Sequence, residues 1–268
     1  MKAKGTLRKM KTEVPGTGKP VAYKLPIGEE LPDVNAWIGK KLSLKYTGEI
    51  FCISCGKKTK KSFNQGFCYP CFINGPESEE CVMRPELCRA HEGQARDMEF
   101  AKSHCLIPQF VYLSLTSDLK VGVTRNTQIP TRWIDQGALQ AIKLAKTPNR
   151  YTAGLVEVAL KKHMKDKTDW RKMLKNVYPE DLDLKAAKAD AITKLPEDLA
   201  KFVVKDNKIT KLVFPVEAYP EKIKSVGFDK LPLIEGTLQG IKGQYLLLDD
   251  NRVLNIRKHA GYMVELKV

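Results

Sequence analysis

Two short motifs, Cys52-Ile53-Ser54-Cys55 and Cys68-Tyr69-Pro70-Cys71, flank residues 56–67. A Cys-x-x-Cys turn brings two sulfurs within reach of one ion, and four thiolates satisfy a tetrahedral Zn²⁺. The plain alternative is four buried, unliganded thiols, but paired spacing of this kind is specific. A closed four-cysteine shell leaves no position for water, so Cys52, Cys55, Cys68 and Cys71 read as a structural zinc site. Gly56 and Gly66 supply backbone freedom beside the two motifs.

Cys81, Cys88, His91, His104 and Cys105 follow. Of these, Cys81, Cys88, His91 and Cys105 form a chemically reasonable second shell, since mixed three-cysteine, one-histidine sites are common. Cys88 and His91 have the tight spacing, whereas Cys81 and Cys88 are loosely spaced. Free cysteine also packs well in interiors, which is the competing reading. All seven cysteines lie between Cys52 and Cys105, and the two sites together would use every one. An odd count without a secretory leader argues for metal rather than disulfides.

The chain has 268 residues, 43% of them hydrophobic, enough for a real core in one large domain or two modest ones. Lys and Arg number 46 against 31 Asp and Glu, a formal +15. Such an excess favours encounter with polyanions, above all nucleic acid; the bland alternative is that the lysines only keep the protein dispersed. No stretch approaches the roughly 18 apolar residues of a membrane span, and the charged N-terminus has no apolar run behind it. The expectation is a cytoplasmic protein with no membrane partner.

Around the cysteines the chain reads as α+β. A β-rich segment (1–50) carries short strands near residues 5–7, 21–23 and 42–46. The cysteine region (51–105) follows. Residues 106–205 begin with a hairpin, 110–115 against 120–124, then a short helix near 128–136 and a third strand at 139–144. Residues 152–164 form the clearest helix, with Val156, Ala159, Leu160 and His163 on one stripe, which predicts a half-buried His163. A polar helical stretch covers 168–202. The closing β segment (206–268) ends in a hairpin, 244–248 against 252–256, and is expected to join the N-terminal strands in one sheet.

The central order of strand, strand, helix, strand, helix resembles the GIY-YIG nuclease superfamily, especially its phage-type branches. Phe110-Val111-Tyr112 matches the first motif, and Lys120-Val121-Gly122 the second, with Lys120 where the family has tyrosine. Arg132 matches the arginine of the first helix and Glu157 the glutamate of the second. More broadly, a zinc ribbon followed by such a core is similar to a bacterial family of unknown function. The resemblance implies catalytic roles: Tyr112 orienting water, Arg132 pairing with phosphate, Glu157 holding Mg²⁺ or Mn²⁺, and Lys120 adding positive charge. Structural roles stand beside these. Tyr112 alternates with apolar neighbours like a core tyrosine, Arg132 and Asp135 have helix-pair spacing, and so do Glu157 and Lys161.

Trp133 and Trp170 read as helix anchors, either able to stack on a base. Lys242, Arg252, Arg257, Lys258 and His259 gather near the last hairpin, as a phosphate grip or an ordinary solvated face. The expectation is a zinc-containing binder of DNA or RNA with a nuclease-like core. Its alternatives are a ribosome-associated protein and a protein–protein adaptor.

Overall fold

In the computed structural model, which describes residues 1–268, the chain divides into two compact units. The first comprises Met1–Ile73, Leu174–Asn176 and Val213–Val268; the second comprises Asn74–Met173 and Val177–Leu212. In chain order the elements are β1 (Lys2–Thr6), β2 (Lys11–Glu13), β3 (Ala22–Lys24), β4 (Lys41–Phe51), β5 (Lys58–Thr59) and α1 (Tyr69–Asn74). There follow α2 (Met98–His104), β6 (Gln109–Leu115), β7 (Leu119–Arg125), α3 (Thr131–Asp135), β8 (Gln140–Thr147) and α4 (Arg150–Lys161). The chain continues through α5 (Trp170–Leu174), α6 (Leu184–Thr193), α7 (Glu197–Ala200) and β9 (Ile209–Lys211). It ends with β10 (Lys224–Val226), β11 (Leu233–Lys242), β12 (Tyr245–Leu248), β13 (Arg252–Asn255) and β14 (Tyr262–Lys267).

The first unit holds an eight-stranded sheet in the order β1-β14-β4-β11-β12-β13-β10, with β5 paired to β4, and a separate β2–β3 pair. The expected joining of the two terminal β segments is therefore found: β14 lies antiparallel between β1 and β4, with Ala3 opposite Leu266 and Leu44 opposite Leu266 on the other side. Period-two patterning explains the register. Leu42 and Leu44 are buried while Lys41 and Lys45 are exposed, so a one-residue slip would turn the apolar set outward. The last hairpin turns through Asp250 and Asn251, both at positive φ, the geometry that suits the right-handed twist of paired strands.

The second unit carries an antiparallel sheet in the order β7-β6-β8-β9. Its first three strands were expected; β9, only three residues long, was not. Every residue of β6 is buried, as befits a strand with neighbours on both sides. Val111, Leu113, Val121, Ile142 and Leu144 of the sheet meet Ala153, Val156 and Leu160 of α4. Each buried Val, Leu or Ile among them contributes about 1.5–3 kcal/mol by leaving water.

α4 starts two residues earlier than its apolar stripe suggests, because the Asn149 side chain accepts the Thr152 N–H at 2.9 Å. It also ends sooner, at Lys161. His163 therefore lies beyond the helix and is exposed, correcting the half-buried position predicted for it. The polar stretch after it resolves into α5, α6 and α7.

Candidate functional site

The first cysteine group hangs from the end of β4. Cys52 follows that strand directly, and its carbonyl accepts the Gly56 N–H at 3.0 Å, closing the first turn. Gly56 sits at φ +72°, a conformation that strains other residues. α1 carries Cys71 in its first turn, bringing the second pair back towards the first. The sulfurs of Cys52, Cys55, Cys68 and Cys71 all lie within 4.8 Å of one another, with Cys55 and Cys68 3.8 Å apart. Burial opposes ionisation of Cys52, yet backbone N–H groups of Cys55, Cys68 and Ser54 outweigh it and hold the thiol down to about 6. A thiolate favoured near neutral pH is what a divalent ion binds.

The second group is Cys81, Cys88 and Cys105, all buried, with sulfurs within 4.8 Å of one another. Hydrogen bonds from Cys105 and then Cys81 draw the Cys88 thiol well below its ordinary range. This group is clipped to the start of α4. Arg150 donates from Nε to the Cys81 carbonyl at 2.8 Å and from Nη2 to that of Val82 at 2.7 Å. The Arg150 N–H reaches the Cys105 carbonyl at 2.8 Å. Gly154 lets residues 85–86 lie against the helix, since a β-carbon there would come 2.2 Å from the Glu86 nitrogen. His91, proposed as the fourth ligand, is not in this group; its ring stacks on Tyr151 at 4.3 Å. His104 is likewise outside it, with Nδ1 2.8 Å from the Ser103 hydroxyl.

Tyr112, Lys120, Arg132 and Glu157 come from β6, β7, α3 and α4 and influence one another electrostatically. The Tyr112 phenol is fully buried, donates to Gln136 Oε1 at 2.9 Å, and packs edge-on to Trp133 with ring centres 5.9 Å apart. Burial raises its pKa, while the charge and a hydrogen bond of Arg132 pull it down. Lys120 is 4% exposed; burial and then Arg132 push its amine down to about 8, against the pull of Glu157 and Asp166. Glu157 is raised by burial, opposed chiefly by Lys161, whose Nζ lies 3.6 Å from its carboxylate. The helix pair read from spacing is thus present, but on a carboxylate only 8% exposed. Gln136 and Asp166 were missed, because no spacing rule ties them to the motifs.

The basic residues near the last hairpin do not form one exposed face. Lys242 is fully buried, donates to Asn176 Oδ1 at 2.7 Å, and lies over the rings of Phe214 and Tyr219. His259 is also buried, between the Asn255 carbonyl at Nδ1 and the Phe228 N–H at Nε2. Arg252 is tied to Asp249 and to the Glu235 carbonyl. Trp133 is buried, as an anchoring role requires, and Trp170 carries Arg171 over its ring at 4.3 Å. No helix is long and apolar enough to cross a membrane.

Among known proteins, residues 39–264 match the model of a family described as "Protein of unknown function (DUF2797)". No curated protein and no solved structure matches the chain.

Proposed function

The chain belongs to that family, whose description assigns no activity, and we propose that it is a zinc-containing nucleic-acid-binding protein. In this reading the partly exposed Arg132 meets the phosphodiester backbone, with the buried Tyr112, Lys120 and Glu157 behind it setting its charge and position. The observation that carries it is the placement of two cations, Lys120 and Arg132, around one buried phenol and one buried carboxylate. Like charges held together in a poorly solvated place are disfavoured unless an anion joins them. A phosphate supplies that charge, and Arg132 has the planar fork to pair with it. The +15 balance adds long-range attraction. Zinc in both cysteine groups would set the local shape, the three thiolates of the second leaving one position for a further ligand.

Titration of labelled single- and double-stranded DNA and RNA at two salt concentrations tests this. Binding should weaken steeply with salt, because each neutralised phosphate releases counterions. Arg132→Ala should reduce affinity about tenfold or more. No binding at low salt would overturn the reading and favour a protein–protein adaptor.

A second reading, hydrolysis of the strand, is favoured by the character of Lys120. A buried amine brought down to about 8 is mostly charged at neutral pH, but above about 8 it is largely neutral and can accept a proton. A water oxygen would then bond to phosphorus, its proton passing to Lys120, while the ester oxygen leaves and is protonated by solvent. In this second reading Glu157 would hold Mg²⁺ or Mn²⁺, which would supply charge relief on the phosphoryl oxygens. Cleavage that needs neither ion, or that survives Glu157→Ala, would refute this second reading.

A further inference from the structure

The second unit contains a cavity of about 200 Å³ that the site above does not include. Arg125, Arg150, His104 and Glu77 bring its charged and titratable groups, with the wall completed by Phe100, Val82 and Cys105. Arg125 is the last residue of β7 and is half-buried. The charges its guanidinium feels are Arg150, which disfavours its protonation, and Cys105, which favours it; no hydrogen bond compensates its burial. Arg150 is held in place by its two bonds to the Cys81 and Val82 carbonyls. His104 commits Nδ1 to Ser103 and the Phe100 carbonyl, and its ring stacks on Phe100 at 3.7 Å.

A guanidinium does not deprotonate in a protein, so Arg125 cannot escape its surroundings by becoming neutral. Two such groups beside an open cavity call for an anion with several oxygens. Glu77 and the Cys105 thiolate bring the negative charge on this wall, but no ion pair joins Glu77 to either arginine. We propose that this cavity is an oxyanion subsite that takes a phosphate group, with Arg125 and Arg150 as its charged donors. The Arg125 fork can match two phosphate oxygens at once, while Arg150, with Nε and Nη2 already bonded, has Nη1 to offer.

The place of the subsite gives it a link to the strand-binding reading, on which the following step rests. Arg150 and Glu157 are seven residues apart on α4, hence on one face and about 10 Å apart along its axis. That is the axial rise of about three nucleotides in one strand. Residues 85–86 cover that face at Gly154, midway between Arg150 and Glu157, so a strand reaching both would have to pass over this segment. The same chemistry also fits free phosphate or a mononucleotide, and the two sources are separable.

The test uses the full metal-loaded chain, with inorganic phosphate and a short single-stranded oligonucleotide as probes. Calorimetry with phosphate should show binding that Arg125→Gln weakens about tenfold or more, with Arg125→Lys intermediate because it keeps charge but loses the fork. If the strand is the source, phosphate competes with the oligonucleotide and Arg125→Gln lowers the salt slope by about one. If free phosphate is the ligand, oligonucleotide affinity is unchanged by Arg125→Gln while phosphate affinity falls; both results support the subsite. Lys120→Met, measured in parallel, separates the two proposals, since it should spoil strand binding and leave phosphate binding intact. The subsite is refuted if the folded wild-type protein binds no phosphate, or if Arg125→Gln binds it equally well. Loss of metal in Arg125→Gln with phosphate binding unchanged would instead assign Arg125 to the thiolates of Cys81, Cys88 and Cys105.

Discussion

Gly122 lies directly beneath the phenol of Tyr112: a β-carbon at 122 would stand 2.6 Å from the Tyr112 hydroxyl oxygen. The two residues face each other across β6 and β7, so the glycine is the space the ring occupies. Gly122→Ala should displace the phenol from Gln136 and destabilise the second unit by about 1–3 kcal/mol, the usual range for overpacking. Urea unfolding measures the loss, and an unchanged midpoint would show that the ring is not confined there.

Zinc content is expected to be one to two ions per chain by mass spectrometry. Cys52→Ser should remove one ion and unfold the region around Cys52 and Cys71, because metal binding and folding are coupled in such sites. Cys88→Ser should remove the other while leaving the first in place. A folded protein free of metal would contradict both assignments.

The pH dependence of strand binding follows from Lys120. Its folded value of about 8 lies below the ordinary 10.5, so its positive charge is lost as pH rises through about 8. Affinity should fall over that interval, and Lys120→Arg, which stays charged, should carry binding to higher pH. Glu157 supports the charge on Lys120. Glu157→Gln should therefore move the fall to lower pH, a shift that a binding titration across pH 6–10 reads directly.

Lys242 makes a separate prediction about stability. Burial depresses its amine from 10.5 to about 7, so between those values the unfolded chain binds more protons than the folded one. Stability from this group consequently rises with pH across that window and is lowest below about 7. Lys242→Met should narrow the difference in urea midpoint between pH 6.5 and pH 9.5. An equal difference in the variant would show that Lys242 does not titrate there.

Much of this was legible because it is local. The paired Cys-x-x-Cys turns, the β6–β7 hairpin and the stripe of α4 each declare themselves within about a dozen residues. Tyr112, Lys120, Arg132 and Glu157 fall on β6, β7, α3 and α4, elements that the local pattern marks. What escaped depends on tertiary context. β9 is too short and polar to carry a period, and His163 was misplaced because the apolar pattern runs past the point where α4 stops. Lys242 looked like a surface cation until Asn176, Phe214 and Tyr219, distant in sequence, closed over it. The cavity around Arg125 has no sequence signal, because residues from 77 to 150 meet there.

The sheet order β1-β14-β4-β11 also governs when each part of the chain can acquire structure during synthesis. β14 is the last strand made, yet it pairs with β1 and β4, two of the earliest. At about 5–20 residues per second, β1 and β4 wait on the order of ten seconds or more for that partner. Residues 74–173 and 177–212 meet no such delay, since β6, β7, β8 and β9 follow one another without a distant partner. The nascent protein thus carries a nearly finished second unit while the edges of β1 and β4 remain open, the interval in which chaperone protection matters most.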